Sequence, residues 1–170
     1  MVRTPSPVAF NFSIDLPVRS EWANVDLLRT SVQNCFTAIF SDLEGCHSLA
    51  MVTGELLENA IKYGDWAGKE SSFRLKVWGA GNRAHIAVEN PVRPDDNGAH
   101  EVLDILRWIR GFPSANEAYR ARLIEIAKAP MGGGSSKLGL VRIAYEGDCD
   151  LGAEVSNGVI RVTAEREFLQ

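Results

Sequence analysis

Glu55 and Asn59 stand four residues apart in the segment ELLENAIKYG, and a helix there places both side chains on one face, one turn from each other. The pair has a chemical use. A side-chain amide oxygen is a neutral, hard ligand for Mg²⁺, which takes few protein groups and fills its shell with phosphate oxygens and water. A carboxylate one turn away can take the proton of an attacking water or hydroxyl. The same segment also reads as an ordinary amphipathic helix, with Glu58 and Lys62 forming a solvated ion pair worth roughly 0.2–0.5 kcal/mol.

A second feature lies downstream, where Met131 to Lys137 (MGGGSSK) runs into LGLVRIAYE. Glycines that lead into a helix leave free backbone N–H groups at the positive end of its dipole, a natural seat for a phosphate. The run is not a P-loop, because Lys137 sits between Ser136 and Leu138 and the segment follows a helical stretch, not a strand. Read alone, it is better taken as a flexible connector. With Glu55 and Asn59 upstream, the phosphate-binding reading is preferred.

Several elements must position these residues. Val8 to Leu16 alternates apolar and polar residues before Pro17 and reads as a first, edge strand. Ser20 to Asp42 carries Val25, Leu28, Val32, Phe36 and Ile39 on one helical stripe, and Gly45 is expected to break it. Ser48 to Tyr63 reads as the helix bearing Glu55 and Asn59, stopped by Gly64. Phe73 to Trp78 and His85 to Glu89 form a hairpin pattern around Gly79 to Asn82. Glu101 to Arg110 and Ser114 to Ala129 read as helices, the latter opened by a Ser114/Glu117 capping box and ended by Pro130. Leu138 to Glu146 is helical, and Leu151 to Ser156 and Val159 to Glu165 flank Asn157 and Gly158, a tight-hairpin signal. The order β, α, α, β, β, α, α, α, β, β describes an α+β sandwich with helices on one sheet face.

Composition bounds the rest. A chain of 170 residues, 45% apolar, is expected to form one core and one domain, 1–170. Its net charge of −4 and interspersed signs argue against a nucleic-acid partner. No leader-like or membrane-length apolar run is seen, so a cytoplasmic protein with no membrane partner is expected. Cys35, Cys46 and Cys149 show no paired spacing, and His47, His85 and His100 no metal-ligand spacing, so neither set is given a functional role.

ELLENAIKYG resembles the N-box, and GGGSSKLGL the second glycine box, of the histidine-kinase-like (GHKL) superfamily of gyrase, heat-shock chaperone and histidine kinases. Small size, lack of a phospho-accepting histidine domain and the terminal hairpin further resemble the anti-sigma-factor-type serine/threonine kinases of bacterial partner-switching systems. The resemblance implies a two-layer α/β sandwich of the Bergerat type, with a mixed, mostly antiparallel sheet and helices on one face. It implies ATP and Mg²⁺ as cofactors, Glu55 as general base and Asn59 as the magnesium and nucleotide ligand, with Lys62 near the phosphates. Gly132, Gly133, Gly134, Ser135, Ser136, Lys137 and Gly139 would form the loop over the phosphates.

Asn90 stands where the family uses an Asp to recognise adenine, Val92 where it keeps a glycine, and Lys137 replaces another glycine. An amide can still accept from and donate to a purine edge, while a branched Val92 would crowd it. The stretch 98–137 would be a helical lid with the glycine-rich loop. Its two helices resemble a branch that phosphorylates a small STAS-like or anti-anti-sigma-like partner in biofilm signalling. A homodimer through the first strand or helix is also implied. Trp108, Ile109, Phe112 and Tyr119 either offer the partner an aromatic surface or pack the lid. The departures also admit an alternative, an inactive interaction module of the same fold.

Overall fold

Alternating side chains build the sheet. Strands Phe10–Pro17 (β1), Ser72–Ala80 (β2), Arg83–Pro91 (β3), Asp150–Ser156 (β4) and Val159–Glu167 (β5) form one sheet in the order β1-β2-β3-β5-β4. Phe73, Leu75 and Val77, Ile86 and Val88, and Ile160, Val162 and Ala164 are buried on one face. Arg74, Lys76, Glu89, Arg161 and Glu165 take the intervening positions, as a period of two requires. The register places Leu75 beside Val88 and Val88 beside Val162, so one apolar row crosses three strands. The structure, a computed structural model, describes residues 9–17, 23–67, 72–93, 95, 97–129 and 138–169.

The two-layer α+β architecture expected from the sequence is present, with β1 at an edge. The sheet, expected to be mixed and mostly antiparallel, is antiparallel in all its described pairings. Asn157 and Gly158, at φ 51° and 74°, turn β4 into β5 through two left-handed residues, the backbone that an Asn-Gly hairpin favours.

Among the described residues, five helices accompany the sheet: Ala23–Ile39 (α1), Leu43–Tyr63 (α2), Asn97–Arg110 (α3), Ala115–Lys128 (α4) and Leu138–Tyr145 (α5). Helix α1 buries Val25, Leu28, Val32 and Phe36 of the predicted stripe, and its fifth residue, Ile39, is partly buried. Helix α2 packs on β3 and β5 through Leu49, Val52, Leu56, Leu57 and Ala60, and α3 lies beside β4. None of the described helices is long and apolar enough to cross a membrane.

Two helix starts differ from expectation by a turn or more. Helix α2 begins at Leu43, so Gly45 lies in its first turn and breaks nothing. The Asp42 carboxylate accepts the Gly45 N–H at 2.8 Å and caps the helix, and a Cβ at Gly45 would lie 2.9 Å from the Phe168 ring. Helix α3 starts at Asn97, a turn before the expected Glu101. The 98–137 stretch contains α3 and α4 in its described part, and Ser114 caps α4 by accepting the Glu117 N–H.

One end of the core is aromatic. Phe40 stacks on Phe168 at 3.8 Å, and Phe10 meets Phe36 edge-on at 6.0 Å, so β1, α1 and the chain after β5 share one cluster. Phe36 is fully buried there. Phe36→Ala is expected to cost about 3–5 kcal/mol in urea unfolding. A loss under about 1 kcal/mol would show that this cluster is not part of the cooperative core.

Candidate functional site

Helix α2 is long enough to turn two faces to two neighbours. Leu56, Leu57 and Ala60 go down onto the sheet, while Glu55 and Asn59, partly buried, face α5. The contact point is Gly139, in the first turn of α5. A Cβ there would lie 2.6 Å from Glu55 Oε2 and 3.7 Å from Asn59 Nδ2. The carboxylate thus occupies the place of a missing side chain, and any larger residue would have to displace it.

The polar groups of this junction are unevenly satisfied. Glu55 Oε1 accepts a hydrogen bond from Arg142 Nη1 at 3.2 Å, and its side chain is 21% exposed. Arg142 Nε donates to Glu146 Oε2 at 2.6 Å, and the Tyr119 hydroxyl on α4 donates to Glu146 Oε1 at 3.0 Å. Asn59 Nδ2 is closed off from solvent and has no hydrogen-bond partner. An unmet buried amide costs about 1–3 kcal/mol, and rotating it would merely expose the oxygen to the same deficit. The amide nitrogen therefore offers a hydrogen-bond donor beside the glycine.

Burial pushes the Glu55 carboxyl above its ordinary pKa. The Glu58 charge on the same helix adds to the rise, and Arg142 opposes it. Glu146 moves the other way, held low mainly by the Arg142 hydrogen bond. A carboxyl raised toward neutrality is suited to accept a proton and later release it.

Asn90 is buried at the end of β3, and its Nδ2 donates to the Pro91 carbonyl at 3.2 Å. It shares a cavity with Asn59, enclosed by Tyr63, Val92, Ala99, Val102 and Ile160. The structure thus brings Asn59, Asn90 and Val92 to one place. The cavity volume is about 10 Å³, room for roughly one water and far less than a purine. Lys62 is exposed, its ammonium 5.0 Å from the Tyr63 ring centre. Gly132, Gly133, Gly134, Ser135, Ser136 and Lys137 lie outside the described residues.

The fit to the expected cofactors differs between the two ends of the site. At the phosphate and metal end, the unpartnered Asn59 N–H group fits a phosphate oxygen, while a Mg²⁺ ion would call on the Asn59 amide oxygen. No group of three or more His, Cys, Asp or Glu among the described residues could hold a metal, so an ion would depend on Asn59 and on oxygens from outside the chain. At the base end, a purine fits beside Asn90 only after α3, which supplies Ala99 and Val102, moves outward.

Sequence reasoning did not assign roles to Arg142 and Glu146. The signal was available, since Gly139, Arg142 and Glu146 follow at i, i+3 and i+7 and share a helix face. Trp108, Ile109, Phe112 and Tyr119 are half-buried against the core, which is the packing alternative for these aromatics.

No model of a known protein family matches the chain, and no curated protein matches it in sequence. Among solved structures it is similar to a chain of the crystal structure of the SiaB–SiaC complex from Pseudomonas aeruginosa. The TM-score is 0.61 at 14% sequence identity, covering 91% of this chain and 88% of that one. The likeness shows a shared fold, which by itself does not assign an activity.

The raised Glu55 pKa has a stability consequence with a definite sign. Because the folded-state value lies above the unfolded one, this group's contribution is fully present below the unfolded carboxylate range and is lost as pH rises through the folded value. Glu55→Gln removes that loss. The variant should melt higher than the parent near neutral pH, with the difference shrinking as pH falls through the carboxylate range. A difference that is independent of pH, or that grows on acidification, contradicts this burial effect.

Proposed function

We propose that the chain is an ATP-dependent serine/threonine protein kinase of the histidine-kinase-like type, acting on a small partner protein in bacterial partner-switching signalling. The observation that carries the reading is the seat of Gly139 against both Glu55 and Asn59. A carboxylate with a raised pKa and an unpaired amide share one backbone-lined corner, which is the arrangement that phosphoryl transfer to a hydroxyl requires. The fold shared with a chain from a two-protein complex supports a protein partner, and the sequence resemblance makes a STAS-like or anti-anti-sigma-like protein the partner to try.

Bound Mg·ATP would supply the transferable phosphoryl group and the metal charge that neutralises it. The chain's own residues do the rest. Asn59 would hold the metal through its amide oxygen, and Glu55 Oε2 would accept the proton of the partner's Ser or Thr hydroxyl. Backbone N–H groups at the start of α5 would receive phosphate oxygens, and Asn90 would read the base edge if α3 moved. Catalysis by these groups is positioning and electrostatics, so loss of the base is expected to lower transfer by roughly 10²–10⁴-fold. Radiolabel transfer from ATP to a co-purifying or genetically neighbouring partner should be lost in Glu55→Ala. Full transfer by that variant overturns the role of Glu55.

A second reading has its own observation. The cavity beside Asn90 is closed by Val92 and α3, as expected of an interaction module that sequesters a partner without nucleotide. Calorimetry and thermal melting with millimolar Mg·ATP separate the two. The kinase reading expects heat and a raised melting temperature, both diminished in Asn59→Ala, whereas no heat and no shift favour the module.

A further inference from the structure

The Glu55 carboxylate is not held by its own helix. Oε1 is taken by Arg142 on α5 and Oε2 is turned to the bare face of Gly139, so the two oxygens have different duties. Arg142 is itself fixed by a short contact to Glu146, and Glu146 in turn accepts from Tyr119 on α4. Tyr119 also lies against Tyr145 at 4.9 Å, which packs this hydroxyl's ring onto α5. The chain of contacts from Tyr119 through Glu146 and Arg142 to Glu55 therefore joins three helices, and its links are all shorter than 3.5 Å.

We propose that Arg142 is the positioning residue of the site, holding one oxygen of Glu55 so that the other faces the Gly139 corner, and that Glu146 and Tyr119 make this hold depend on where α4 lies. The inference rests on the phosphotransfer reading for its catalytic meaning, but the hold itself is a property of the unliganded chain. A guanidinium suits the task because its planar fork reaches two carboxylates at once, Nη1 on Glu55 and Nε on Glu146, which an ammonium at the same place cannot reproduce with fixed geometry. The charged groups that face Glu55 are Glu58 from its own helix and Arg142 and Glu146 from α5, with Tyr119 one contact further out on α4. Among these Arg142 is the cation, so its removal leaves Glu55 with two like charges.

The proposal separates a positioning role from a merely structural one through the titration of Glu55. Isotope-labelled glutamate carboxyl signals, with Glu55 identified by its absence in Glu55→Gln, are followed across the carboxylate range in the parent, Arg142→Gln, Arg142→Lys and Tyr119→Phe. The Glu55 midpoint should move upward in Arg142→Gln, return part of the way in Arg142→Lys, and move upward by less in Tyr119→Phe. If Arg142→Gln does not fold, Arg142→Lys carries the test alone, its Glu55 midpoint expected above that of the parent. A Glu55 midpoint unchanged in the folded variants overturns the inference, whatever the enzyme does. In phosphotransfer, Arg142→Gln should lower the rate roughly 10–100-fold, the range for a displaced reacting group, with Arg142→Lys recovering part of it. A rate that is unchanged or raised in Arg142→Gln shows that the ion pair restrains Glu55 and does not aim it, which also overturns the proposal. Shifted midpoints together with no transfer by the parent protein to any partner leave the hold standing and sink the kinase reading instead.

Discussion

Gly139 has no side chain, and the carboxylate of Glu55 stands where one would be. Much of the site follows from this contact. It brings α5 close enough to α2 for Arg142 to reach Glu55, and it shuts Asn59 Nδ2 away from water, leaving an amide with hydrogen-bonding capacity to spare. It also withdraws the carboxyl from solvent, which raises its pKa. A burial that costs stability in each of these ways persists only where the surrounding packing over-determines it, and such places are where function is sought. Here the packing is α2 on the sheet, fixed by Leu49, Val52, Leu56 and Leu57.

The two ends of the site are in different states. At the end facing α5, polar groups are placed and mostly paired, with Asn59 Nδ2 left unsatisfied. At the Asn90 end, apolar side chains from α3, β3 and β5 close on a space of about 10 Å³. Entry of a purine there would require α3 to give way, and α3 rests mainly against β4, α4 and α5. Those same helices carry Tyr119 and Arg142, so a displacement of α3 and the setting of Glu55 share their supports. Conformational change at one end would then be felt at the other through packed elements and hydrogen bonds.

Much of the fold was legible because its signals are local. Alternation in β2 and β3, the Asn157-Gly158 turn and the stripe Val25, Leu28, Val32, Phe36 are short-range patterns with one structural solution each. Gly45 misled because it lies inside a capped first turn, where its missing side chain leaves room for the Asp42 carboxylate and for the Phe168 ring, over a hundred positions away. The antiparallel character of every described pairing was likewise a matter of topology, not of any strand's own sequence. At the site, the spacing of Glu55 and Asn59 announced the pair, but that Gly139 would meet both depends on how α5 docks. Arg142 was legible only as one more helical cation, since its partner Glu55 lies 87 residues earlier. The volume beside Asn90 is set by α3, and no residue count along β3 could have revealed it.

The central claim is that the α2–α5 corner receives a metal-bound triphosphate. Mn²⁺ added to isotope-labelled protein with a non-hydrolysable ATP analogue broadens the resonances nearest the ion. The account predicts that the Asn59 side-chain amide and the Gly139 backbone amide broaden first, at substoichiometric metal, and only with nucleotide present. Sharp signals from both residues while resonances elsewhere broaden, or no nucleotide-dependent broadening at all, would contradict it.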